Sequence, residues 1–251
     1  MTDYTELSNG INIVGGGRIG SFFASLIPGS TILDRSADLS KIDERPVLVA
    51  TRCDSLDEIF AGLSAASSSR KRHVITVQNG IYFDLMQKYH RVSYTCLLIY
   101  FAISKIGAAP VDGGGSLAWG PAARDLTRLL QNAALRVSVV DEVNFKTAAY
   151  EKLIWNAVFG LLCEIHQKPV GKIVSQHADE VSLLCEELSS VVRSCDGVVL
   201  AKGLAGRLSD YSLSISEYQG ALKEYPWRNG WFFERKETPF HQELLVRVGA
   251  I

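Results

Sequence analysis

An α/β domain followed by an all-helical one is the architecture this sequence predicts, and three observations predict it. Short β-branched runs alternate with short amphipathic stretches as far as Val140. The first such run, Ile11-Asn-Ile-Val14, leads directly into glycines. Beyond Val140 the apolar period becomes that of a helix, and no later stretch reads as a strand. Strands that alternate with helices argue for a parallel sheet.

Taken in order, the first strand ends at Val14, and Phe22, Phe23, Leu26 and Ile27 then share a helical face. Residues 30–33 and 47–50 predict the second and third strands. Residues 56–63 predict a helix, and 74–77 a fourth strand ending at Gln78-Asn79-Gly80. The stretch 36–46 barely holds a crossover, so the domain looks trimmed there. Residues 97–103 and 116–119 predict two further strands, with a turn-rich segment at 110–115 between them. Leu126, Leu129, Leu130 and Ala133 mark a helix, and 137–140 a last strand. After Asn144 helical spacing takes over: Ala148, Ala149, Leu153, Asn156 and Ala157, then Val181, Leu184, Cys185, Leu188, Val191 and Val192. The boundary falls near Asp141, giving a sheet domain over 1–141 and a helical domain over 142–251.

Composition excludes several functions. With 47% hydrophobic and 21% charged residues among 251, the chain reads as an ordinary globular protein. A net charge of -1 offers no reason to expect nucleic acid or an anionic membrane as partner. Arg70, Lys71 and Arg72 adjoin the serine run 64–69 and read as a solvated loop. Residues 1–9 are polar and acidic, unlike a secretory leader, and the apolar run 96–103 is too short to span a bilayer. Five cysteines form no CxxC pair. Cys185 and Cys195 fall among apolar residues, so reduced thiols and a cytoplasmic location are expected. The histidines show no ligand spacing, and no metal is expected.

Gly15-Gly16-Gly17-Arg18-Ile19-Gly20 satisfies G-x-G-x-x-G between a strand and a helix, the context that gives the pattern meaning. Gly15 allows the tight turn, Gly17 lets backbone approach a pyrophosphate, and Gly20 allows close helix–strand packing. The helix N-terminus then offers free N–H groups to phosphates. Asp34 ends the second strand roughly 20 residues on, where a carboxylate holds a ribose hydroxyl. These features predict a Rossmann-type, dinucleotide-binding sheet domain. Asp34 alone points to NAD. Arg35 follows it and suits a 2′-phosphate, and Arg52 adds positive charge past the next strand, so NADP is the expected cofactor and NAD the dissent.

Lys152 and Asn156 lie four residues apart on a predicted helix and share a face. Two readings stand side by side. One is a surface lysine beside a helix-internal hydrogen bond; the other is a chemical pair set into an apolar helix.

The order of these segments resembles the ketopantoate reductase (2-dehydropantoate 2-reductase) family. The resemblance runs through Gly15 to Gly20, Arg35, Arg52, Gln78-Asn79-Gly80, Gly120-Pro121, Glu151-Lys-Leu-Ile-Trp-Asn156 and the helix 185–192. It ends with Ser212 and with Glu224, followed five residues later by Asn229-Gly230. It implies NADPH-dependent reduction of 2-dehydropantoate to pantoate, in pantothenate and coenzyme A biosynthesis. Alternatives are reduction of another small 2-oxo acid, or a non-catalytic NADP-binding module. Lys152 is implied as the general acid, with Glu224 orienting it or holding substrate. Asn79, Asn156, Ser212 and Glu224 are implied in substrate binding. Gly15, Gly16, Gly17, Arg18, Ile19, Gly20, Arg35, Arg52 and Asn79 are implied at the cofactor. A homodimer is compatible with the resemblance. Where the family carries a second asparagine, four residues past the first, this chain has Gly160, expected to leave room for a larger or less polar substrate group. Ser214 and Ser216 compete with Ser212 for its place in the alignment.

Overall fold

The protein is described from a computed structural model covering Leu7 and residues 9–65 and 72–251. Residues 66–69 of the serine run, Arg70 and Lys71, and most of the acidic start lie outside the described residues. The chain divides into two compact units, Met1–Phe145 and Lys146–Ile251.

Among the described residues the first unit contains nine strands: β1 (Asn12–Val14), β2 (Thr31–Leu33), β3 (Val47–Val49), β4 (Arg72–Thr76), β5 (Val92–Leu98), β6 (Phe101–Ala102), β7 (Val111–Asp112), β8 (Ser116–Trp119) and β9 (Val137–Val139). Its helices are α1 (Arg18–Leu26), α2 (Leu56–Ser64), α3 (Phe83–Lys88) and α4 (Ala123–Asn132). Seven strands form one sheet in the order β2-β1-β3-β4-β5-β8-β9. Ile13, Leu48, Ile75, Leu97 and Ala118 form the middle of the core, and Phe23, Leu126 and Leu130 reach it from the helices. This core follows directly from the apolar runs of the sequence.

The sheet is parallel except where β5 meets β8. Parallel return requires a crossover, usually a helix. The connection between β5 and β8 instead carries the separate antiparallel pair β6–β7, so the chain comes back antiparallel. The single strand expected over 97–103 is therefore divided. Tyr100 N donates to Ser116 Oγ at 2.9 Å and Gly113 N donates to Tyr100 O at 2.6 Å, which draws the chain away from the sheet at that residue. Helix α3 went unpredicted because six residues with none buried carry no apolar period.

The trimmed stretch after β2 contains a run of side-chain turns in place of a helix. Asp34 accepts from Ser36 N, Asp38 from Ser40 N and Asp43 from Arg45 N. Arg45 fastens the run to the sheet, donating to Gly29 O (2.7 Å), Thr31 Oγ1 and the buried Asn12 Oδ1. Arg72 differs from its expected place in a solvated loop. It is buried, and its guanidinium holds Asp43 O (2.5 Å) and Ile42 O (3.2 Å).

The second unit is helical: α5 (Glu142–His166, begun in the first unit), α6 (Val170–Gln176), α7 (Ala178–Asp196), α8 (Leu204–Ser214), α9 (Asn229–Phe233) and α10 (Pro239–Arg247). Asp141 caps α5, its Oδ1 accepting from Asn144 N at 2.8 Å. Between Leu153 and Cys163 nearly every side chain of α5 is buried, as expected of a helix apolar all round. Among the described residues no helix is long and apolar enough to cross a membrane. All five cysteines are free. Four are buried, whereas Cys195 is exposed and does not share the apolar packing expected of it.

Arg45→Met is expected to lower the urea midpoint, since it strands the Asn12 amide and frees the 34–46 connection. A loss of about 1–3 kcal/mol is the scale for a buried polar group left unsatisfied. An unchanged midpoint would mean that the connection is held by other contacts.

Candidate functional site

In the first unit, β1 lies between β2 and β3, so the strand order reverses at its carboxyl end, where open α/β sheets bind ligands. The glycine turn occupies this point, and its residues have different roles. Gly15 has φ +110°, and a Cβ there would stand 2.7 Å from Ala50 O at the exit of β3. A Cβ on Gly20 would stand 1.8 Å from Gly15 O, so α1 packs against the turn only with glycine here. Gly17, the N-cap of α1, has nothing within 4 Å of its Cβ position and no side-chain cap. The turn is thus crowded at its two ends and open in the middle, and the first amides of α1 lack intrahelical partners. This fits a dinucleotide pyrophosphate.

The flanking residues divide. Arg18 uses its guanidinium on Ile103 O (2.9 Å) and Ser104 O (3.4 Å), fastening the β6 end to the turn. Ile19 packs on the core. Asp34 is exposed, and Ser36 hydrogen bonds hold its carboxyl below the usual range. Arg35 beside it is exposed and forms no ion pair among the described residues. Arg52 is exposed too, 3.7 Å from Asp54. Beyond β4, Gln78 spans to β3 through Val49 O and Thr51 O. Asn79 follows, its Oδ1 buried with no hydrogen-bond partner among the described residues. Such an acceptor is costly unless a donor arrives.

In the second unit, Lys152, Asn156 and Gly160 make a stripe along α5 at four-residue intervals. Lys152 is 9% exposed, so it is no surface lysine. Burial, then the positive charge of Arg228, bring its pKa down to about 7. Asn156 makes the helix-internal bond, its Nδ2 donating to Lys152 O at 2.9 Å.

The segment after α8 passes over this stripe. Ala221 O would lie 2.9 Å from a Cβ on Gly160, so main chain fills the space that glycine was expected to leave for substrate. Three residues on, Glu224 takes a left-handed φ of +47°, rare without glycine, and pairs with Arg228 (Oε2 to Nη2, 2.9 Å). Both are largely buried, and Arg228 Nε has no hydrogen-bond partner among the described residues. Asn229 and Gly230 hold this segment in place. Asn229 Nδ2 lies 3.2 Å from Ala157 O and 3.0 Å from His241 Nε2, and a Cβ on Gly230 would strike Tyr225.

Ser212 departs from expectation. It is fully buried, its hydroxyl donating to Leu208 O (2.8 Å) and accepting from Trp155 Nε1 (2.9 Å), so it fastens α8 to α5. Arg228 was missed in the sequence. It lies between the Glu and the Asn-Gly of a spaced motif, where nothing marks it as buried or charged toward Lys152.

No protein-family model and no curated protein sequence matches the chain. Solved structures do. A ketopantoate reductase from Ralstonia eutropha aligns with TM-score 0.74 over 96% of this chain and 97% of its own, at 17% identity. The fold is that of the ketopantoate reductases. A dimeric ketopantoate reductase from Staphylococcus aureus aligns at TM-score 0.70 and 16% identity, covering 96% and 98%. A D-mandelate dehydrogenase, solved with NADH and anilino(oxo)acetate, aligns at 0.66 and 14%, covering 96% and 97%.

The Lys152 pKa makes a stability prediction. The unfolded lysine, at 10.5, binds its proton across the window from about 7 to 10.5 where the folded one does not. Folded stability therefore rises with pH through that window, and the penalty is fully present below about 7. Lys152→Met is expected to raise the urea midpoint at pH 6 and to lose that advantage toward pH 10. A constant difference across the series would show that the lysine is not desolvated.

Proposed function

We propose that the protein is an NADPH-dependent reductase of a 2-oxo acid, with 2-dehydropantoate the first substrate to test and a place in pantothenate and coenzyme A biosynthesis to follow from it. The observation that carries this reading is Lys152, a buried amine with a pKa near neutrality, beside the Glu224–Arg228 pair. Binding alone requires no such amine.

A reduced nicotinamide, when bound at the glycine turn, supplies the hydride to the carbonyl carbon. Lys152 holds the proton that the carbonyl oxygen takes, and its ammonium stabilises the charge growing there. A pKa close to the working pH suits a group that must give up a proton and regain it. Arg228 pairs with the substrate carboxylate, in the place that buried Ser212 does not fill. Glu224 keeps Arg228 aligned and balances its charge in the absence of substrate. Asn156 lies on the same stripe as Lys152, with its Nδ2 spent on the helix and its carbonyl oxygen assigned to the substrate. Asn79 Oδ1 is assigned to a donor at the nicotinamide end.

At the other end of the cofactor, Gly15, Gly16 and Gly17 carry the pyrophosphate, Arg35 the 2′-phosphate, and Arg52 adds charge at the rim. The likeness to a D-mandelate dehydrogenase holding NADH supports a second reading, reduction of a different 2-oxo acid. The carbonyl of Ala221 over Gly160 points the same way. A homodimer is part of the proposal, since the Staphylococcus aureus ketopantoate reductase is dimeric.

The test is NADPH consumption against a panel of 2-oxo acids led by 2-dehydropantoate. Lys152→Ala is expected to lower kcat about 10²-fold or more on the best substrate. Arg228→Met is expected to raise KM for that acid, and turnover to fall as pH rises through the lysine's pKa. A lysine variant that turns over normally, or a panel without a substrate, would end the reading. Cofactor choice is tested separately: Arg35→Ala should raise KM for NADPH far more than for NADH. Equal changes would give the ribose to Asp34 and make the cofactor NAD.

A further inference from the structure

Away from Lys152, the second unit brings together two imidazoles and a carboxylate that the proposed reaction does not use. His166 ends α5, His177 is the N-cap of α7, and Glu180 lies in the first turn of α7. Glu180 faces both rings: Oε2 is 2.8 Å from His166 Nε2, and Oε1 is 3.6 Å from His177 Nδ1. The rings stack with centroids 3.5 Å apart, at 22°. One ligand atom from each residue falls within 4.8 Å of the others, the one such group among the described residues that includes a histidine pair.

We propose that His166, His177 and Glu180 form a zinc site that clamps the end of α5 to the start of α7. The donor set of two imidazole nitrogens and one carboxylate oxygen is one that zinc favours. Tetrahedral zinc, with bonds of about 2.1 Å, separates neighbouring ligand atoms by about 3.4 Å. Glu180 meets the two rings through different oxygens, one hydrogen-bonded to His166 at 2.8 Å and one 3.6 Å from His177. Zinc therefore takes up the set when one carboxylate oxygen serves both rings and the stacked imidazoles splay to aim at it; one ligand atom from each residue already lies within 4.8 Å of the others. The three side chains are 12%, 17% and 28% exposed, enclosed enough to exclude most water yet within reach of an entering ion.

Lys168 is the neighbouring cation. Its Nζ lies 3.3 Å from His177 Nε2 and donates to Gln176 Oε1 at 2.8 Å, so it occupies the far side of the ring. Nδ1 faces the carboxylate and is the ligating nitrogen. The ammonium of Lys168 can only donate, so His177 Nε2 accepts from it in the metal-free ring; zinc on Nδ1 moves the ring proton to Nε2, breaks that contact and leaves Lys168 on Gln176. The sequence did not show the group, because ten residues and the whole of α6 separate His166 from His177. The site is independent of the proposed reductase activity.

The experiment uses the full chain after dialysis against EDTA, in a Cys195→Ser background that removes the exposed thiol. Zinc chloride is titrated by calorimetry, and melting is followed with zinc and with magnesium. One zinc per chain and a Tm raised by zinc but not by magnesium are expected. His177→Asn and Glu180→Gln should each weaken zinc binding about tenfold or more, while exposed His90→Ala should not. Asparagine caps a helix well, so His177→Asn keeps the start of α7. Absence of stoichiometric uptake, or uptake undiminished in His177→Asn and Glu180→Gln, overturns the proposal.

Discussion

The second unit depends on the burial of α5. A helix enclosed on every side has no wet face on which to place a charge, yet Lys152 lies on its stripe beside Asn156 and Gly160. The ammonium is costly there unless it gives up its proton or finds an anion. The segment over the stripe carries Glu224 and Arg228 as an ion pair, and the positive charge of Arg228 adds to burial in favouring the neutral amine of Lys152. Much of the surrounding structure serves to hold that segment down: the Gly160–Ala221 approach, the Asn229 bonds to Ala157 and His241, and Gly230 under Tyr225. A left-handed Glu224 is tolerated because its neighbours fix it on both sides.

The glycine turn of the first unit follows the same logic with backbone in place of charge. Two glycines are needed because other main chain comes too close for a side chain, and the third lies under open space. Crowding at the ends keeps the middle exposed and rigid. On the proposed reading, amides so placed receive the pyrophosphate without first having to become ordered, which lowers the entropy lost on binding.

Local patterns were legible and distant contacts were not. The central strands could be read because they bury on both faces and so present unbroken apolar runs, as at 47–49. The change of period after Val140 showed the helical unit for the same reason. What failed depended on partners remote in sequence. Arg72 looked like part of a charged loop until the carbonyls of Ile42 and Asp43 came to it. The split at Tyr100 depends on Ser116. At the candidate site, the stripe of Lys152 and Asn156 was visible as a four-residue spacing. Arg228 was not, since its meaning comes from Lys152 on α5, more than seventy residues away in the chain. Ser212 misled in the other direction, because a serine suited to substrate and one tying two helices look alike in sequence.

The approach of Ala221 to Gly160 has a consequence for how this wall can change over time. A pocket lined by side chains is retuned one residue at a time, because each substitution alters shape or polarity at a single point. Here the wall at Gly160 is a peptide carbonyl, and every amino acid at position 221 supplies the same one. Substitution at Gly160 itself meets that carbonyl at once. Selection at this spot therefore has little to act on through single replacements, and a different group can be admitted only by altering the length or path of the whole segment between α8 and α9. On the proposed reading, a change of substrate preference at this spot comes by insertion or deletion in that segment, in steps, where a side-chain wall drifts gradually.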